Sequence, residues 1–229
     1  PDQDGKNDLE RAKRNLQRAL AIDDSYMPAF NQLAIYYLEQ KPAAEKGETT
    51  NKKRRRRGLD AASTKAVDVN QQQLDLAALV ASQGVRKNPN YAPIHNTAGL
   101  IQVELRNFNG AVKSFASARR LDSKFFEAHM NYAAVNLGFR GFGEAEKAYR
   151  EALKIRPKEY EAHLGLALAI RGQIKPGDSA RINDAQKHLE EAKKISPDRA
   201  ETYYNEAILT QEYEAKGGPA VQVTDPSSA

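Results

Sequence analysis

Small and aromatic residues recur along this chain at fixed offsets within amphipathic stretches. The clearest copy runs Ala133, Ala145, Tyr149, Ala152, Pro157, and stepping back 34 residues gives Gly99, Ala111, Phe115, Ala118 and Ser123. Stepping forward gives Ala167 and then, after six further residues, Ala185, Leu189, Ala192 and Pro197. Each copy reads as two amphipathic helices joined by a short turn. A period near 34 residues implies helix pairs that stack and share one elongated core, so the length of 229 residues does not by itself count domains.

The same pattern organises the rest of the chain. Residues 8–26 hold a partial unit, a second-type helix with Leu9, Ala12, Leu16, Ala19 and Leu20 on one face. Unit 27–91 opens with a first helix, Met27 to Gln40, carrying Phe30, Leu33, Ala34 and Tyr37, with Pro28 tolerated in its first turn. A polar, Lys/Arg-rich insertion over about 41–69 then intervenes before Leu74, Ala77, Ala78, Ala81 and Gly84 resume the pattern and Pro89 closes it. Units 92–125 and 126–159 are tight, with Phe108 and Phe142 at equivalent places in their turns. In unit 160–199 the turn lengthens by six residues at about 172–180, where Lys175, Pro176 and Gly177 fall. A terminal helix over 200–215 carries Tyr203, Ala207 and Ile208 and ends before Gly217 and Gly218. Residues 218–229 have the composition of a flexible tail, which leaves the last helix without a second helix to cover it. The expectation is an all-α, right-handed solenoid of about ten helices over residues 1–217.

These positions resemble the tetratricopeptide repeat, whose units carry small residues at positions 8, 20 and 27, an aromatic near 24 and a proline near 32. Small residues let neighbouring helices approach closely, and proline stops the second helix. The resemblance covers roughly residues 8–215. It implies a binding platform, a fold used in unrelated processes. The long inserted loop and the run from Tyr203 to Gly218 are more distantly similar to tetratricopeptide proteins of myxobacterial gliding motility, which implies a bacterial envelope setting on the periplasmic side, with a cytoplasmic one as the alternative.

Charge narrows the picture. The formal balance of +5 comes from one cluster, Lys52, Lys53, Arg54, Arg55, Arg56 and Arg57; without those six, 29 basic residues face 30 acidic ones. The cluster is a candidate contact for anionic lipid or nucleic acid. It has no aromatics beside it to stack bases, so a general nucleic-acid surface is not expected. Membrane contact would come through this loop or through an anchor preceding Pro1.

In the family it resembles, the concave face is lined by first-helix positions 2, 5, 9 and 12. Here these are Glu127, Met130, Ala134 and Leu137, then Glu161, Leu164, Leu168 and Arg171, then Glu201, Tyr204, Ile208 and Gln211. The row is acidic at its edge and apolar in its middle, suited to an extended segment or helix with apolar anchors and some positive charge. The Lys and Asn of a carboxylate clamp are missing: positions 5 and 9 read Asn96 and Leu100, Met130 and Ala134, Leu164 and Leu168. The uncovered last helix offers a second surface, for self-association.

Position 4 of successive units holds Phe30, His95, His129, His163 and Tyr203. Three histidines spaced 34 apart invite a metal ladder, but stacked helices stand about 8–10 Å apart, whereas two nitrogens about 2.0–2.1 Å from one zinc nearly touch. They read as packing residues, and no metal or cofactor is expected. There is no cysteine, and no His-Glu-x-x-His, Gly-x-Ser-x-Gly or phosphate-loop motif, so the chain reads as a non-enzymatic scaffold or adaptor for protein partners.

Overall fold

The computed structural model describes residues 3–40 and 61–215, with side chains over 8–40 and 71–212. Among these residues every regular element is helical. The ten helices are α1 (Gln3–Ile22), α2 (Met27–Glu39), α3 (Ala61–Lys87), α4 (Ala92–Glu104), α5 (Phe108–Leu121), α6 (Phe126–Gly138), α7 (Phe142–Ile155), α8 (Tyr160–Arg171), α9 (Ser179–Ile195) and α10 (Ala200–Ala215). They group into two compact units, Pro1–Ser123 and Lys124–Ala229.

In the N-terminal unit α1 packs on α2, α2 on α3 and α4, α3 on α4, and α4 on α5. Phe30, Leu33 and Tyr37 of α2, Ala77 and Ala81 of α3, and Ile94 and Ile101 of α4 form its core. Helix α1 is held by Leu16 and Leu20 against that core and by the Tyr36 hydroxyl, which donates to the Glu10 carboxylate at 3.1 Å. Helix α3 begins at Ala61, well inside the stretch read from sequence as inserted loop. The reason is local: no Gly or Pro occurs between Leu59 and Gln83, and once the packed end of a helix is formed, each further Ala, Lys or Gln adds to it at little cost.

In the C-terminal unit the first helices α6, α8 and α10 lie side by side, α6 against α8 and α8 against α10. The second helices α7 and α9 pack between them in sequence order. The core is built from Ala133, Ala145, Ala148, Tyr149, Ala162, Leu166, Ala169, Ile170, Ala185, Leu189 and Leu209.

Close approach depends on rings seated in notches left by glycine. A methyl group added at Gly99 would stand 2.4 Å from the Phe115 ring, and one at Gly165 would stand 2.3 Å from the Tyr149 ring. Phe115 is fully buried and Tyr149 nearly so. Burying a side chain of this size contributes about 2–3 kcal/mol, and the notch converts that contribution into one fixed helix separation.

Turns are closed by recurring polar contacts. The second helix ends before a proline whose carbonyl cannot be used by its own helix, and the position-4 side chain of the next unit donates to it. His95 Nε2 reaches Pro89 O at 2.8 Å, His163 Nε2 reaches Pro157 O at 2.9 Å, and the Tyr203 hydroxyl reaches Pro197 O at 2.8 Å. Asn107 and Asp178 cap α5 and α9 by accepting from the backbone N–H of Gly110 and Arg181, each at 3.1 Å. The short turns pass through the left-handed region at Arg106 and Arg140.

Gly165→Ala should lower stability by about 1–3 kcal/mol through overpacking against Tyr149. Gly138→Ala, whose added methyl meets nothing within 4 Å, should leave stability unchanged or raise it by up to about 1 kcal/mol. Denaturant unfolding of the two variants tests the notch; equal midpoints would show that Tyr149 moves freely aside.

Candidate functional site

The row expected to face a partner lies entirely in the C-terminal unit, on α6, α8 and α10. None of its twelve residues is fully buried. Met130, Leu137 and Leu164 are half-buried and rest partly on the core, Leu168 and Ile208 are half-buried, and Tyr204 is 65 % exposed. Ala134 and Gln211 are exposed. Helix α8, which carries the middle four, is in contact with both α6 and α10.

The carboxylates of this row are engaged within the chain. Glu127 is paired with Arg156 at 2.7 Å, and the same guanidinium lies 4.0 Å from the centre of the Phe126 ring. Arg199 repeats the arrangement on the next pair of helices. It lies 4.3 Å from the Tyr160 ring centre and bridges Glu161 at 3.1 Å and Glu201 at 3.2 Å. Arg171 donates to the Asn205 side chain at 3.0 Å and stands 3.9 Å from Glu212. The three edge carboxylates of the row are thus each paired with a flanking arginine.

In the same unit, α7 and α9 are tied by a half-buried ionic cluster that the repeat pattern does not reveal. Glu146 accepts from Arg150 at 3.0 Å, from Arg181 at 2.9 Å and from the Gln173 amide at 2.8 Å. Burial pushes its carboxyl upward, but the hydrogen bonds from Arg181, Arg150 and Gln173 together outweigh burial and hold it below the usual carboxylate range. Arg150 also pairs with Asp184. Gln173 comes from the lengthened turn after α8, so the six extra residues of that unit carry one arm of the cluster.

Of the histidines, His163 does not meet another repeat-equivalent histidine. It meets His188 of α9, with the two Nδ1 atoms 3.0 Å apart. Burial pushes His188 down to about 4, with Asp184 opposing the shift, so its ring is neutral near pH 7. His188 lies 25 residues beyond His163, off the 34-residue period, which is why alignment of the repeats passes over it. The other sequence candidate, Lys52 to Arg57, lies outside the described residues, as does 218–229. No helix among the described residues is long and apolar enough to cross a membrane.

Paired antiparallel helices with small residues at the crossings and proline-closed turns constitute the tetratricopeptide-repeat fold. Solved structures with this fold align over most of the chain. The crystal structure of YrrB, a TPR protein with an unusual peptide-binding site, aligns with a TM-score of 0.58 at 15% identity, over 89% of this chain and 86% of its own. MamA aligns with a TM-score of 0.59 at 15% identity, over 85% and 92%. PilF of Pseudomonas aeruginosa aligns with a TM-score of 0.64 at 15% identity, over 92% and 79%. No protein-family model and no curated protein matches the sequence.

Because Glu146 is held ionised in the folded state, the stability it contributes is complete above the unfolded carboxylate range and is lost as pH falls through its lowered folded value. Thermal unfolding followed from pH 6 downward should show a steeper acid loss for the natural chain than for Glu146→Gln. Parallel curves would mean that the cluster does not distinguish the ionised form.

Proposed function

We propose that the chain is a non-enzymatic scaffold that holds a peptide or helix of a partner protein across α6, α8 and α10. The observation that carries this reading is the rank of incompletely buried apolar side chains, Met130, Leu164, Leu168, Tyr204 and Ile208, on three neighbouring first helices. Their flanking carboxylates are already bound by Arg156 and Arg199. Such a surface binds by burying apolar anchors, with paired charges as a rim that sets register more than affinity. The peptide-binding site named for YrrB, which shares this fold, supports the same use of it.

We read the process as assembly of a bacterial envelope machine of the gliding, pilus or secretion type, a reading supported by the distant resemblance of the long insertion and the Tyr203 to Gly218 run. Electrostatic tethering through Lys52 to Arg57 is the rival, and salt separates the two.

Peptides selected on the chain from a random display library should carry spaced apolar anchors. Tyr204→Ala should weaken the selected peptides by about tenfold or more with no change in melting temperature, since Tyr204 lies mostly in solvent. Leu164→Glu should abolish binding, with circular dichroism as the check that its partly core-facing site has not unfolded. Affinity should change little between about 0.05 and 0.5 M salt. A steep loss with salt, or retention of full affinity by both variants, would sink the groove assignment.

A further inference from the structure

One junction of the N-terminal unit lacks the large side chains that fill its counterpart in the C-terminal unit. Ala81 of α3 stands 34 residues before Phe115 and two such steps before Tyr149, both of which are buried. Ala98 of α4 stands at the same two offsets before Tyr132 and Leu166. At the α7–α8 junction Tyr149 and Leu166 both belong to the core. At the α3–α4 junction two methyl groups take their places, and an open pocket of about 360 Å³ lies there.

Ala81, Ala98 and Ile101 are among its apolar walls, and its polar lining is Ser82, Arg86 and Gln102. None of these three is acidic. The Ser82 hydroxyl donates to the Leu79 carbonyl at 2.8 Å. The Gln102 side-chain oxygen accepts from Asn107 at 2.7 Å, which leaves the amide N–H groups of Gln102 to donate. Arg86 is exposed and forms no ion pair among the described residues. Apolar walls with a guanidinium and an amide as donors suit an apolar body that carries an anionic acceptor.

We propose that this pocket binds a small aromatic acid, one or two fused rings bearing a carboxylate. A dry cavity of about 150 Å³ holds a benzene molecule, so about 360 Å³ has room for a ring system twice that size, at the lower end of the range of small-molecule sites. A flat ring is also the shape that the equivalent position carries in later units, as Phe115 and Tyr149 seated against Gly99 and Gly165. The neighbouring sequence supplies no spare ring: residues 41–70, between α2 and the described side chains of α3, contain no Phe, Tyr or Trp. The carboxylate of the ligand pairs with Arg86, with the Gln102 amide as a second donor.

2-Naphthoate titrated by calorimetry into the 229-residue chain near neutral pH should bind at one site per chain. Ala98→Leu, which gives α4 the residue that α8 has at Leu166, should fill the pocket and weaken uptake by at least about tenfold without lowering the melting temperature. Arg86→Gln should weaken 2-naphthoate by about threefold to tenfold and leave binding of the neutral 2-naphthamide unchanged. Methyl spectra of the unsubstituted chain give the readout that survives if a variant fails to fold: the ring should shift the signals of Ala81, Ala98 and Ile101. No uptake, uptake unchanged in Ala98→Leu, an acid bound no more tightly than the amide, shifts confined to Met130, Leu164 and Leu168, or methyl contacts from the pocket to residues 41–70 in the ligand-free chain would overturn the proposal.

Discussion

The α4–α5 and α7–α8 separations depend on an aromatic ring lying against a position that has no side chain. Phe115 occupies the notch at Gly99, and Tyr149 the notch at Gly165, at distances where even a methyl group would collide. Around them the crossings are lined by alanines with no exposed surface, Ala111 and Ala118 in one unit and Ala145, Ala152, Ala162 and Ala169 in the other. Small residues alone would allow helices to slide, since a smooth surface has no preferred register. A ring in a notch removes that freedom, because interiors at crystal-like density tolerate neither overlap nor voids.

The turns add direction to this spacing. Proline follows the second helices α3, α7 and α9 and cannot donate, and its orphan carbonyl is taken by the position-4 side chain of the following unit, a histidine in His95 and His163 and a tyrosine in Tyr203. At these three junctions the residue types differ while the role persists, a donor at the end of a long, flat side chain. The recurring histidines are thus structural. His163 has, in addition, a second nitrogen turned inward toward α9, and its partner there is set by the helix pair and not by the repeat.

The same division between repeated frame and local addition governs the surface. Edge carboxylates recur at Glu127, Glu161 and Glu201, yet the arginines that neutralise them do not occupy equivalent repeat positions. Arg156 closes α7, while Arg199 follows Pro197 and serves two carboxylates at once. The apolar residues beside them, Met130, Leu164, Leu168 and Ile208, are incompletely buried. The Glu146 cluster ties α7 to α9, with Gln173 contributed by the one turn that departs from the period.

The sequence by itself determined the helix pairs, their order and the crossings at Ala133, Ala145, Ala152 and Ala167, because amphipathic period and residue size act locally and repeat. It misjudged 61–69, where polar composition concealed a stretch without helix breakers. Only the tertiary structure decided that Arg156 and Arg199 neutralise the acidic edge, that Glu146 anchors α9, and that His163 faces His188. The His163–His188, Glu146–Arg181 and Glu161–Arg199 pairs join residues 25 to 38 apart at separations the repeat does not encode. Such pairings depend on the angle at which two helices cross and on which rotamers the packed interior permits, and neither is written in the spacing of residues along the chain.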